Sequence, residues 1–177
     1  MTLHITKNYI KSIRRKQQKM DNKLNIWFKR FLDISLVIGL LIELSVPIGL
    51  RKAVDMTMMT LGDTTEYAAI KDHFVFAVVS IMMAGAFALL ILYELRKMMK
   101  TVIEDNCFIQ ENVTSLYRMG NYAFAIALIK ILRCFVYFTP AAVVTSGVFL
   151  FAGVLSKVLA RVFDRAVRYK EENDLTI

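Results

Sequence analysis

Four blocks of apolar residues, each close to the length of a membrane span, constrain this chain more than any other feature. A helix rises 1.5 Å per residue, so about 20 mostly apolar residues cross about 30 Å of hydrocarbon. Phe31 to Leu50 is the first block, interrupted by Asp33 and Glu43, and Phe74 to Leu95 is the second, uncharged until Glu94. From Tyr122 to Ala160 the chain is apolar again, with Lys130, Arg133 and Lys157 as its only charges, and it is too long for one crossing. Thr139-Pro140 divides it, because proline lacks the backbone N–H and disfavours a helical residue before it. The pattern predicts spans at 31–50, 74–95, 122–138 and 141–160, the last two joined by a tight turn. A soluble fold would have to bury four helices that are apolar on every side, and such helices belong to large cores or to membranes. The predicted class is all-α, an integral membrane four-helix bundle. With 56 % apolar residues, 7 Gly and 2 Pro, disordered and collagen-like classes are excluded, and two cysteines are too few for a disulfide framework.

An even number of spans puts both termini on one side. That side carries 17 Lys and Arg, from residues 1–30, the 96–121 connection and the tail from Arg161, whereas the other carries only Arg51, Lys52 and Lys71. The positive-inside rule makes the basic side cytoplasmic. The net charge of +8 is then mostly a topology signal. No zinc-ligand spacing or RNA-binding aromatic motif accompanies it, so direct nucleic-acid binding is not expected. Within residues 1–30, Ile10, Ile13, Met20, Leu24 and Trp27 recur at three- and four-residue steps among basic residues that include Arg14, Arg15 and Lys16. This reads as a basic amphipathic helix. Two roles stay open for it: lying on an anionic leaflet with Trp27 near the headgroups, or serving as a solvated arm that enforces topology. Thirty residues ahead of the first span do not make a cleavable signal. Residues 31–177 read as one membrane domain ending in a cytoplasmic helix and tail at 161–177.

Three ionisable residues, Glu43, Lys130 and Arg133, fall deep in the spans. A lone charge at the bilayer centre costs about 2.5–3.5 kcal/mol on insertion scales, so such residues pair or face a wet cavity. Counted from span starts at 31 and 122, Glu43 lies about 18 Å deep and Arg133 about 16 Å, with Lys130 one turn nearer the cytoplasm on the same face. The reading preferred here is a Glu43–Arg133 pair that fixes which helices meet; the competing one is an ion, proton or ligand pocket lined by all three. Ala84, Gly85 and Ala88 in span two, and Ala142, Ser146 and Gly147 in span four, suit close helix contacts. Such faces also suit a homo-oligomer. Met56, Met58 and Met59 have the chemistry of Cu(I) ligands, but flexible apolar filler is the commoner use of clustered methionines.

Catalytic chemistry is not visible. His4 and His73 fall on opposite sides of the expected membrane, Cys107 and Cys134 are not placed to pair, and there is no P-loop, GxGxxG or HExxH. No enzyme activity, metal or cofactor is expected.

Span two should continue as a helix through Arg96–Ile103 and break at Asp105-Asn106. A second helix should start near Gln110-Glu111, where an acidic residue suits the positive N-terminal dipole, and run to Gly120 just before span three. The stretch from Leu95-Arg96-Lys97-Met98-Met99 through Asn106, Phe108, Glu111 and Asn112 to Gly120 resembles the middle motif of a bacterial family of small four-span membrane proteins. The tail from Val158 to Glu171-Glu172-Asn173-Asp174-Leu175-Thr176-Ile177 is similar to that family's ending. The family is the domain of unknown function 2975, and the resemblance covers about residues 31–177. Cys107 stands where the family often has proline, and the arm at 1–30 is atypical of it. The resemblance implies a bacterial inner-membrane protein with no established reaction. It also implies a gene neighbour that is a small Cro/CI-like helix-turn-helix regulator, and hence a regulatory role through binding that regulator. Two other functions stay open: immunity against a membrane-active peptide or toxin, recognised by the spans and the 51–73 loop, and a small transporter or channel subunit built around Glu43, Lys130 and Arg133. The apolar Leu175 and Ile177 are expected to pack against Phe108 and the 109–119 helix, or else to serve as a handle for a partner.

Overall fold

The computed structural model describes residues 2–61, 70–136 and 138–174, and the side chains of 22–60, 70–136 and 138–173. Four helices follow one another: α1 (Thr2–Leu61), α2 (Phe74–Ile103), α3 (Gln110–Val136) and α4 (Pro140–Asp174). All four are long and apolar enough to cross a membrane, and no strand occurs among the described residues. The chain is a multi-pass membrane protein.

Local chemistry sets the helix ends. The N–H of Asp105 reaches the carbonyl of Val102 at 3.2 Å, and that of Asn106 reaches Thr101 at 3.0 Å. These two bonds form a Schellman close for α2, with Asp105 in the left-handed region at φ 53°. Aspartate tolerates that region better than most side chains. Glu111 sits in the first turn of α3, against the positive end of its dipole. Thr139 precedes α4 and Pro140 takes its first position, where the missing N–H is harmless. Two expected boundaries are absent. The 110–120 helix and span three are one helix, because Gly120 is used for close packing and not as a stop. The arm at 1–30 and span one are likewise continuous in α1, about 90 Å long at 1.5 Å per residue. Pro47 lies inside α1 and removes the hydrogen bond that the Glu43 carbonyl would receive.

Each helix packs on the next in sequence, and among the described residues no other pair of helices does. The contacts are antiparallel. Asp33 meets Arg96, Gly39 meets Leu89 and Gly85 meets Glu43 between α1 and α2. Glu94 meets Ser115 and Phe87 meets Tyr122 between α2 and α3. Buried positions are mostly small: Ala77, Ala84, Ala123, Ala127, Ala142 and Ala160. Large apolar side chains such as Ile38, Leu41 and Phe151 face outward. This suits lipid, in which association rests on close van der Waals packing between small residues and not on hiding apolar surface. The backbones of α3 and α4 come close at Gly120, where a methyl would stand 3.1 Å from the carbonyl oxygen of Gly153.

α2 carries no charge from Phe74 to Tyr93, about 20 residues and about 30 Å, the thickness of the hydrocarbon core. Following the paired residues outward makes Phe74 level with Val54 on α1 and Phe135 on α3. One edge of this slab therefore runs through Val54, Phe74 and Phe135. The other runs through Ile34, Glu94 and Ser115 and borders a basic end, where the 104–109 connection and the last turns of α4 gather.

Candidate functional site

The polar groups of the basic end converge on the junction of α2 and α3. Glu94 is only 3 % exposed. Its carboxylate accepts a hydrogen bond from the buried Ser115 hydroxyl at 2.7 Å and one from Arg118 at 3.3 Å. Three residues before Ser115 on α3, Asn112 is buried, and its amide donates to the Thr101 hydroxyl and to the carbonyl of Cys107, each at 2.7 Å. Thr101 in turn donates to Met98. Asn112 and Ser115 are three residues apart and share the face of α3 that meets α2. Buried polar groups must find partners, and here one helix supplies the partners of the other. At the rim, Lys97 pairs with Glu111 at 3.2 Å.

α4 locks this junction from a second side. Phe108 stacks on Phe163 with ring centroids 5.5 Å apart, Lys170 bonds the Asn106 side chain at 2.9 Å, and Ser156 donates to the carbonyl of Leu116. Lys157 lies over the Phe124 ring and against Gly120. The result is a rigid platform of the 94–120 hairpin and the C-terminal half of α4. Its free surface offers Phe108, Tyr117, Arg118, Arg168 and Tyr169, all exposed. Such an arrangement holds these side chains in a fixed relation to one another. Its polar groups are engaged with one another.

Phe108, Glu111, Asn112 and Gly120, singled out from the sequence, all lie in this platform. Glu172 is exposed beside Arg165, Arg168 and Tyr169. The side chain of Asp174 and all of Leu175, Thr176 and Ile177 lie outside the described residues, as do the side chains of Arg14, Arg15 and Lys16. The expected docking of the tail on Phe108 thus falls outside them too, although Phe163 already covers one side of that ring. Trp27 is exposed and stacks on Phe31. Sequence reasoning missed Glu94, Thr101, Ser115 and Arg118 as one unit. The available signal was that Glu94 is the only carboxylate in α2, with Ser115 three residues beyond Asn112.

Glu43 is not brought to Lys130 and Arg133. Glu43 lies on α1 with its carboxylate over Gly85, where a methyl would collide with it, and its Oε1 is buried with no hydrogen-bond partner among the described residues. Lys130 and Arg133 lie on α3, which does not pack on α1. The expected Glu43–Arg133 pair is therefore corrected. The depth count took residue 122 as the start of span three, but the Glu94–Ser115 contact shows that α3 enters the slab about seven residues earlier. Glu43 is level with Phe124, which leaves it about 9 Å from the level of Lys130 and about 14 Å from that of Arg133. Among the described residues, no group of three His, Cys, Asp or Glu is placed to hold a metal ion, and both cysteines are free.

The family model described as "Protein of unknown function (DUF2975)" matches residues 59–177, which takes in α2, α3, α4 and the whole of the platform. No curated protein and no solved structure matches the chain. The chain belongs to the DUF2975 family.

Proposed function

We propose that this DUF2975 member is a non-enzymatic protein of the bacterial inner membrane that works by binding another protein at its basic end. In this reading the basic end faces the cytoplasm, on the strength of the 17-to-three bias in Lys and Arg. The partner is a small helix-turn-helix regulator held at the membrane, and the protein itself makes no direct contact with nucleic acid. The observation that carries the reading is the platform. Buried hydrogen bonds from Glu94 and Asn112 fix its geometry, while Tyr117 and Tyr169 are left exposed beyond the slab. Exposed aromatic residues on a rigid support are the kind of side chain that dominates protein interfaces. An apolar tail ending in Leu175 and Ile177 would add to that surface.

The test is cross-linking and co-purification of the tagged full chain from native membranes. A soluble DNA-binding protein should be recovered with the parent chain and lost with the pair Tyr117→Ala and Tyr169→Ala, both exposed on the platform. Recovery of no such protein, from membranes where the chain is folded and abundant, would reject the regulatory reading. Survival under peptide challenge and flux in liposomes then test immunity and transport.

A further inference from the structure

The side of α1 turned away from α2 carries a pattern that the proposed function does not use. From Ile10 the arm places Ile13, Gln17, Met20, Leu24, Trp27 and Phe31 at steps that alternate strictly between three and four residues. That is a heptad repeat, with Ile10 at position a and Ile13 at position d. The same register runs on through Ile34, Ile38 and Leu41 inside the span. Side chains before residue 22 lie outside the described residues, but α1 is helical from Thr2, so the register passes from the arm into the span on one helix. α2 uses the other side. The residues of α1 that meet it, Leu32, Gly39 and Glu43, fall at b, b and f, across the helix from a and d. Leu24, Trp27, Phe31, Ile34, Ile38 and Leu41 are each half exposed or more.

Lipid covers such a face inside the span, but not along the arm. Leu24 is ten residues beyond Ile34 at the slab edge, about 15 Å, which is past the headgroup layer of about 5–7 Å. Asp33 pairs with Arg96, so α2, ending at Ile103, stops level with residue 26. α1 packs on no other helix among the described residues. The arm therefore carries about 36 Å of helix past the end of α2, and a helix in water depends on burying its apolar stripe. Lying on a leaflet would require the arm to turn into the membrane plane. α1 has no Pro or Gly between Thr2 and Ile38 to make that turn. A strict seven-residue repeat also drifts by about 20° per heptad on a straight helix, about 60° from Ile10 to Phe31, which suits a supercoiled helical partner better than a flat surface. That partner has to pass from water into lipid in the same direction and register. A second α1 does so, because every copy inserts the same way. We propose that α1 pairs with the α1 of a second copy of this chain as a parallel coiled coil, from the arm into the first half of the span.

The charges of the arm fit this pairing. Residues 1–30 hold nine Lys and Arg and a single acid, Asp21, so two arms side by side would repel unless the register keeps like charges apart. In a parallel pair, each g residue falls opposite the e residue five places on in the other helix. Thr2 then falls opposite Lys7, Tyr9 opposite Arg14, Lys16 opposite Asp21, Lys23 opposite Phe28 and Arg30 opposite Ser35. None of these sets two like charges together. The one acid is matched with a lysine, and two of the cations are matched with aromatic rings. The remaining bases, Lys11, Arg15, Lys19 and Lys29, fall at b, c and f on the outer face, where water and salt screen them. Gln17 is the one polar residue at a or d between Ile10 and Leu41, and a single polar a residue fixes the register at some cost in stability.

The experiment places single cysteines along the arm of the full chain, with Cys107→Ser and Cys134→Ser as background, and oxidises them in native membranes. Gln17→Cys, Met20→Cys and Leu24→Cys, at a and d, should give disulfide-linked dimers, whereas Arg15→Cys and Asn22→Cys, at f, should not. In neutral detergent the full chain should have twice the mass of one chain. Met20→Lys with Leu24→Lys should raise the dimer dissociation constant by at least about tenfold, since it puts charge into the seam. Asp21→Lys should raise it by about fivefold, and adding Lys16→Glu should restore it, because the swap rebuilds the pair with its signs exchanged. All these changes lie in the arm, so unfolding of the α2–α4 platform at the parent midpoint confirms that each variant is folded. A monomer in both membranes and detergent, equal cross-linking at a, d and f, or a charge swap that restores nothing would overturn the pairing. So would an arm that forms no cross-link but is shielded from a water-soluble maleimide by phosphatidylglycerol vesicles, which would place the stripe on lipid instead.

Discussion

Glu94 and Glu43 are both carboxylates in apolar helices, yet the structure treats them in opposite ways. Glu94 stands at the edge of the slab, between α2 and α3, and is met by the Ser115 hydroxyl and the Arg118 guanidinium. Glu43 stands near the slab's middle, between α1 and α2, laid over Gly85 with Oε1 unpartnered among the described residues. The difference lies in what the neighbouring helix offers. α3 brings a hydroxyl, an amide and a guanidinium to its face toward α2. α2 brings only Gly85 and apolar side chains to Glu43. A buried acid with partners is a structural joint, whereas one without them gains nothing from its charge.

The strongest way to break this contrast is Glu94→Ala. It should lower the unfolding free energy in micelles by about 2–4 kcal/mol, because it leaves the Ser115 hydroxyl buried and unpaired and opens a cavity. Glu94→Gln, which keeps the shape and one acceptor, should lose about half of that. A chain whose Glu94→Ala form unfolds at the parent midpoint does not use the junction as a joint.

Gly120→Ala should come next, at about 1–3 kcal/mol, since the new methyl would press on the carbonyl of Gly153, and backbone cannot step aside. Gly85→Ala meets only the flexible end of Glu43 and should cost distinctly less; the reverse order in equilibrium unfolding would refute the packing argument. Phe108→Ala removes the stack on Phe163 together with a half-exposed ring and should cost about 1 kcal/mol. Loosening should appear as faster hydrogen exchange across 104–112, and unchanged protection there would mean that α4 does not hold the connection. The smallest effect belongs to Glu43→Gln, which should change the unfolding free energy by less than about 0.5 kcal/mol, since no pair among the described residues is broken. A loss comparable to that of Glu94→Ala would show that Glu43 has a partner after all, the most direct candidate being a second copy of the chain.

Much of this was legible in the residues. Apolar runs of span length, Thr139-Pro140 and Asp105-Asn106 fixed the number of helices and two of their breaks, because lipid thickness and proline chemistry act locally. Asn112, Glu111 and Phe108 could be picked out as a motif. Their partners could not, since Glu94 and Ser115 are far apart in sequence and nothing in either stretch says which faces meet. The error over Glu43 and Arg133 has the same root. Residues give a depth only once the origin of each span is known, and the origin of α3 is set by contacts with α2, not by where its apolar run begins.

The sequence alone determined that the chain is a set of apolar helices with its positive charge gathered at one end, since hydrophobicity and charge are properties that each segment carries by itself. The tertiary structure decided which helices touch, which carboxylate is satisfied and which face of α1 is turned away from α2. Those depend on register and rotation between helices, and these are settled by a few close contacts such as Glu94 with Ser115 and Gly120 with Gly153.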